Sequence, residues 1–137
     1  MKRLIMLFVS VLVLVGCSNS DGLSGSYEVS KNDKNNPQAI FTFEEDQVII
    51  DAMSEDPTLQ LRESYEILEE EREDGLVLIE FDKGDFYNTG LNVSDKKWLY
   101  NPDEQTLIDV WSEDGKDIPT SESEENIEST ILYLETN

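Results

Sequence analysis

Cys17 is the one side chain in this sequence whose type and position indicate a specific reaction. It is the only cysteine, and it directly follows Gly16 and a long apolar run. A cysteine thiolate is nucleophilic enough to form a thioether with an incoming group, and the small Gly16 lets a peptidase approach the backbone. The chain has no histidine, which excludes Ser-His-Asp and Cys-His catalysis and removes the commonest ligand of zinc and copper sites. These residues therefore favour chemical modification of the chain itself at Cys17.

The segment before Cys17 has the charge and hydropathy pattern of an export signal. Lys2 and Arg3 precede residues 4–15, which are apolar except for Ser10. As a helix this run spans about 18 Å, whereas the hydrocarbon core that a transmembrane helix must cross is about 30 Å thick. The length therefore favours a cleaved signal peptide over a permanent membrane span.

The four residues Leu14-Val15-Gly16-Cys17 resemble the lipobox of bacterial lipoprotein precursors. The resemblance implies cleavage between Gly16 and Cys17, with a diacylglyceryl anchor on the Cys17 thiol. Two acyl chains make such an attachment effectively permanent, since one chain alone binds a membrane only marginally. The expected location is the extracytoplasmic face of the cell membrane. The alternative is an ordinary secretory signal with an incidental cysteine.

The sequence divides into three segments on this interpretation. Residues 1–16 form the signal peptide, residues 17–24 an acylated cysteine and a small, polar tether, and residues 25–137 a single domain. The tether reaches up to about 25 Å when extended. Without Cys17 the domain has neither a disulfide nor a free thiol, so its stability must come from its core.

The charge balance restricts the partners of this domain. The formal charge is −21, from 31 Asp and Glu against 10 Lys and Arg, and loss of Lys2 and Arg3 makes it two charges more negative. Such a surface repels nucleic acid and anionic lipid headgroups. We therefore expect no nucleic-acid partner, while cationic peptides and cations remain possible.

Short apolar and aromatic stretches separated by turn residues predict an all-β domain. The predicted strands are residues 25–30, 39–43, 47–50, 59–61, 64–68, 75–81, 97–100, 105–111 and 130–135. Hairpin turns are predicted at residues 44–46 and 101–104. The segment 59–68 also fits a turn of helix. Residues 113–129 are acidic and Ser-rich, and predict a loop with a short helix near its end.

This strand order favours a small antiparallel up-and-down β-barrel, with a β-sandwich as the alternative. The order of Gly25-Ser26-Tyr27, residues 41–48, Tyr65-Glu66-Ile67 and residues 99–108 resembles that of the lipocalin-like small lipoproteins of Gram-positive bacteria. True lipocalins have Gly-x-Trp at the first position, where this chain has Tyr27. The resemblance implies a barrel with a ligand cup.

Aromatic side chains are the candidate ligand contacts within such a barrel. Six of them are candidate ligand-binding residues: Phe41, Phe43, Phe81, Trp98, Tyr100 and Trp111. Phe86 and Tyr87 are further aromatic residues that could line the same barrel. An eight-stranded barrel is just wide enough either to hold one small ligand or to be filled by its own side chains. An open cavity lined by these residues would favour ligand binding, and a filled barrel would assign them to the core.

Acidic segments offer weaker candidates for a cation site. Residues 69–74 and 122–125 can attract cations but are also typical of a solvated surface. Asp82, Asp85 and Asn88 are spaced like oxygen ligands, yet they do not form the twelve-residue EF-hand pattern. We expect neither a metal ion nor a cofactor.

Four functions are compatible with these features. The first is a non-enzymatic surface lipoprotein that binds a small apolar ligand or an envelope component. The second is a lipid-tethered interaction or exclusion factor that uses its acidic surface. A carboxylate-based hydrolase has only composition in its favour. Finally, residues 9–16 resemble the apolar octapeptides that some lipoprotein signals release as mating pheromones.

Overall fold

The computed structural model describes residues 23–53, 60–86, 89, 91–123, 125 and 127–136. A short 3₁₀ turn lies at Thr120–Glu122. The strands are β1 (Gly25–Lys31), β2 (Pro37–Phe43), β3 (Gln47–Ala52), β4 (Gln60–Glu69), β5 (Val77–Phe81), β6 (Lys97–Asn101), β7 (Thr106–Glu113), β8 (Lys116–Pro119) and β9 (Ile131–Thr136). No helix in this part of the chain has the length and apolar character that crossing a membrane requires.

Eight of the described strands close into an antiparallel up-and-down barrel. Strands β1 to β7 pair in sequence order, and β9 pairs with both β7 and β1, so the sheet returns to its starting strand. Closure removes the unpaired strand edges that favour aggregation. The predicted all-β barrel is confirmed, and the alternative β-sandwich is not the fold.

Alternation along the strands determines which residues form the core. On β1, Tyr27 and Val29 are buried, and in the register they pair with the buried Phe41 and Ala39 of β2. Glu28 lies between them on the outer face. Because side chains on a strand point alternately to the two faces, one apolar set fills the barrel interior while the charged set stays outside.

Within the ambiguous segment 59–68, the residues from Gln60 onward form a strand. Its first half pairs with β3 and its second half with β5, with a bulge between Ile67 and Glu69. Its polar residues had obscured the pattern, since Arg62, Glu63 and Ser64 interrupt the apolar positions. The inward-facing residues of β4 are Leu61, Glu63, Tyr65 and Ile67. A glutamate therefore points into the barrel.

The prediction of a loop over residues 113–129 is wrong for its first part, which forms β8. Asp114 and Gly115 both have positive φ, 51° and 75°, as the two-residue type I′ turn of a β-hairpin requires. The predicted short helix near the end of the segment is absent from described residues 127–129, and Thr120–Glu122 forms the 3₁₀ turn instead. Asp-Gly is itself a hairpin signal, so the sequence contained the evidence for β8.

Strand β8 lies outside the barrel, where it pairs with residues 110–113 of β7 and contacts the turn between β4 and β5. Arg72 Nη2 donates a 2.6 Å hydrogen bond to the Asp117 carbonyl oxygen, and Lys97 Nζ lies 3.5 Å from Asp117 Oδ2. On the outer face of β5 and β6, Leu78 and Leu99 form a second apolar cluster, and Val110 of β7 packs against it. Strand β8 therefore belongs to the folded domain although it is not part of the barrel wall.

Candidate functional site

Five of the six aromatic ligand candidates lie together inside the barrel. Phe41, Phe43, Phe81, Trp98 and Tyr100 are all buried members of the main core. Trp111 is half-buried on the part of β7 that pairs with β8, opposite Ile118, and is not in that core. The structure thus brings together the candidates on β2, β5 and β6 and separates the one on β7.

The described rings in the barrel interior contact one another. The Phe43 and Tyr65 centroids are 5.6 Å apart, and those of Phe81 and Phe86 5.2 Å apart, both nearly perpendicular. Phe41 lies 5.6 Å from Phe86 in a tilted arrangement. Edge-to-face pairs at these distances are the favoured packing of buried aromatic side chains. In this conformation the rings act as core.

The connection between β5 and β6, described at residues 82–86, 89 and 91–96, lies at one end of the barrel. It places Phe86, Leu91 and Val93 in the core, although none of them belongs to a strand. The connection is folded on itself, since the Phe86 amide donates to the Val93 carbonyl at 3.0 Å and Asp85 bridges to Ser94. We call these described residues the mouth loop. Sequence reasoning named Phe86 among the aromatic candidates but gave Leu91 and Val93 no role.

Glu63 of β4 is the buried charge next to this loop. It is 7% exposed, and its Oε1 accepts hydrogen bonds from the backbone amides of Lys83 at 3.0 Å and Gly84 at 2.9 Å. Its Oε2 is buried and has no hydrogen-bond partner among the described residues. Burial raises the pKa of Glu63, and the two amide hydrogen bonds offset only part of that effect. Sequence patterns gave no signal for this inward carboxylate.

The raised pKa of Glu63 predicts a pH dependence of stability. The folded state holds the Glu63 proton more tightly than the unfolded chain does. Protonated Glu63 therefore contributes its full stabilisation below its unfolded pKa, near 4.5. That stabilisation is lost as the pH rises through the folded pKa. We expect the free energy of unfolding, measured in urea, to fall between pH 4.5 and neutrality, and Glu63→Gln to reduce that slope. An unchanged slope in the variant would show that Glu63 does not take up a proton on folding.

A second inward carboxylate, Asp109, joins three elements at the same end of the barrel. Its Oδ1 accepts hydrogen bonds from the Thr120 hydroxyl and, at 2.9 Å, from the Thr130 amide. The Thr130 residue leads directly into β9. The pKa of the nearby Asp95 is raised, first by burial and second by the negative charge of Asp109. All of these contacts are satisfied within the protein, so we interpret Asp109 as a structural residue.

Two open grooves flank the outer face of β4 and β5. The first, of about 430 Å³, is lined by Asp46, Ser64, Tyr65, Glu66, Glu80, Phe81, Asp82 and Lys96. The second, of about 480 Å³, is lined by Glu69, Glu71, Arg72, Glu73, Asp74, Gly115, Lys116, Asp117 and Ile118. Carboxylates outnumber cations in both. We call this surface, from Asp46 to the turn at residues 69–74, the acidic face.

Glu66 and Glu80 form a like-charge pair at the centre of the acidic face. They are directly opposite in the register of β4 and β5, and like charges in that position destabilise a sheet. Arg72, by contrast, is fully engaged, since it bonds to Asp74 at 3.0 Å, to Glu69 at 3.3 Å and to the Asp117 carbonyl. Its hydrogen bond lowers the pKa of Asp74. The acidic face therefore carries a net negative charge that Arg72 does not neutralise.

Several predicted site residues lie outside the described residues. Gly16, Cys17, Tyr87 and Asn88 are among them, and so is the signal peptide. Within the described part of the chain, no group of three or more acidic or cysteine side chains is placed to hold a metal ion.

No protein-family model matches this chain. Neither the curated proteins nor the solved structures contain a match to it.

Proposed function

We propose that this protein is a non-enzymatic lipoprotein of the extracytoplasmic membrane face that binds a cationic partner through its acidic face. The anchor in this proposal is a diacylglyceryl group on Cys17, formed after cleavage between Gly16 and Cys17. Its support is the signal-like pattern of residues 1–17. The eight-stranded barrel is compatible with a lipocalin-like origin, which we include in the proposal.

The proposal of a cationic partner is supported by the contrast between the apolar interior of the barrel and the carboxylate-rich grooves on its outside. Phe41, Phe43 and Phe81, three of the candidate cup residues, are each buried against a neighbouring aromatic ring. The two described grooves, in contrast, open to solvent and are rich in carboxylates. A cationic partner gains from attraction to these groups and relieves the repulsion between Glu66 and Glu80. The partner class that fits is a basic peptide or a basic segment of an envelope protein.

The test is a calorimetric titration of the lipid-free mature chain with an octalysine peptide. We expect binding that weakens with added salt, as for any contact dominated by exposed charges. Each charge contact in water contributes about 1 kcal/mol, so the double variant Glu66→Gln/Glu80→Gln loses about 2 kcal/mol and should bind about 30-fold more weakly.

The barrel offers a matched control on its opposite side. Glu28 and Glu135 are also directly opposite one another, on β1 and β9, and they line neither groove. Glu28→Gln/Glu135→Gln makes the same change in net charge, and we expect it to weaken binding about threefold at most, through the long-range field alone. Equal losses in the two double variants would show that octalysine responds to net charge and not to the acidic face.

A further inference from the structure

We propose that Arg72 is the positioning residue of the second groove, where it holds the turn at residues 69–74 against β8 so that one basic peptide contacts both. This role rests on the proposed function, because the second groove is part of the acidic face. It gives a positive side chain a part in binding a positive partner, which is the opposite of what its charge alone predicts. The support comes from the walls of the groove, the contacts of Arg72 and the attachment of β8.

The second groove has two walls that are distant in the sequence. One wall is the turn at residues 69–74, and the other is formed by residues 115–118 at the start of β8. Carboxylates lie on both walls, namely Glu69, Glu71, Glu73 and Asp74 on the turn and Asp117 on β8. The groove therefore exists only while the turn and β8 lie next to each other.

Arg72 is a direct connection between the two walls. Its Nη2 donates a 2.6 Å hydrogen bond to the Asp117 carbonyl oxygen of β8. Within the turn, the same guanidinium donates to Asp74 Oδ2 at 3.0 Å and to Glu69 Oε2 at 3.3 Å. The Arg72 side chain is 13% exposed, whereas that of Glu69 is 55% exposed. A planar guanidinium can make all of these contacts at once, because its N–H groups point in fixed directions.

The attachment of β8 shows why this connection matters. β8 is the last strand in the sheet order and pairs with β7. In a two-residue hairpin the residues next to the turn, Glu113 and Lys116, exchange backbone hydrogen bonds, so the Asp117 carbonyl points to the unpaired edge of β8. Arg72 is the donor on that edge. Because a two-stranded hairpin is only marginally stable by itself, the position of β8 relative to the turn depends on such contacts.

The physical consequence is a preorganised groove. Without Arg72, the carboxylates of the turn and of Asp117 repel one another, and the turn separates from β8. A peptide must then bring the two walls together as it binds, and that ordering reduces its affinity. Charge alone predicts the reverse, because loss of a cation makes the acidic face more attractive to a basic peptide. The direction of the change in affinity therefore distinguishes the two roles.

The test is a calorimetric titration of octalysine into the lipid-free mature chain and into its Arg72→Leu and Arg72→Lys variants. We expect each variant to bind octalysine at least about threefold more weakly than the unsubstituted chain. Arg72→Lys is the stricter variant, because it keeps the charge of the groove and removes the planar guanidinium that reaches both walls. An affinity equal to or higher than that of the unsubstituted chain in either variant would overturn the role of Arg72.

Arg62 supplies the matched control. It is exposed on β4 and lines neither groove, and Arg62→Leu removes the same charge as Arg72→Leu. We expect Arg62→Leu to strengthen octalysine binding by about threefold at most, through the long-range field alone. Opposite directions of change in the two leucine variants support the positioning role, and changes in the same direction contradict it.

Amide chemical shifts of the ¹⁵N-labelled chains separate a local effect from a loss of folding. In the unsubstituted chain, octalysine should shift the amides of residues 71–74 and 115–118. In Arg72→Lys the shifts of residues 115–118 should be largely lost, while those of Glu66 and Glu80 persist. Shifts of residues 115–118 that stay at full size would contradict the proposal. Failure of octalysine to bind the unsubstituted chain would instead remove the acidic face itself from the account.

Discussion

Replacement of Cys17 by serine is expected to abolish lipid labelling of the protein. The reaction needs a thiolate, and a serine hydroxyl is far too weak an acid to supply the equivalent nucleophile at neutral pH. In cells fed a radioactive fatty acid, the label on the variant should fall to background, and the protein should remain as uncleaved precursor or appear in the medium.

The neighbouring residue supplies the control for this experiment. Ser18→Ala leaves the Leu14-Val15-Gly16-Cys17 motif intact, so its labelling should match that of the wild type. Label persisting on Cys17→Ser at the wild-type level would remove the anchor from the account and leave an ordinary secreted or retained domain.

Phe81→Ala is expected to cost about 3–5 kcal/mol of unfolding free energy, the range for truncating a buried phenylalanine. Phe81 is fully buried, and its ring contacts both Tyr65 and Phe86. For a domain of this size such a loss lowers the melting temperature by about 10–20 °C. Circular dichroism of the mature chain during heating measures it directly.

Trp111→Ala is the matched aromatic truncation. Trp111 is half-buried and lies outside the main core, so we expect a loss of about 1 kcal/mol, the typical value for a single substitution. If Trp111→Ala destabilised the protein as much as Phe81→Ala, the division between a packed interior and a peripheral hairpin would be wrong.

The sequence predicted the barrel because apolar and charged residues alternate along its strands. Such alternation is a strong signal for a strand with one buried face and one exposed face. Residues 25–30 show it clearly, with Tyr27 and Val29 inside and Glu28 outside. The hairpins at residues 44–46 and 101–104 followed from turn chemistry, and strands join on either side of both. Closure depends on the pairing of β9 with β1, a contact between the ends of the domain that no local pattern encodes.

The parts that the sequence did not predict depend on tertiary contacts. Glu63 stands in a polar stretch and would be expected at the surface, yet its position on β4 turns it inward. The mouth loop was predicted as a turn because Gly84 and its neighbours are turn residues. Its apolar residues belong to the core only because they pack against the other side chains of the barrel interior. The six aromatic candidates shared a residue type, which does not distinguish a ligand cup from a filled core.

The acidic face, and not the barrel interior, is the proposed binding surface. The most direct measurement is a titration of the ¹⁵N-labelled mature chain, carrying Cys17→Ser, with octalysine, followed by amide and indole chemical shifts. We predict that the largest shifts fall on Glu66, Glu80 and the turn at residues 69–74, while the indole N–H of Trp98, which donates to the Asp95 carbonyl inside the protein, does not move. Shifts centred on Trp98 and the interior, or spread evenly over Glu28 and Glu135 as well, would contradict the claim.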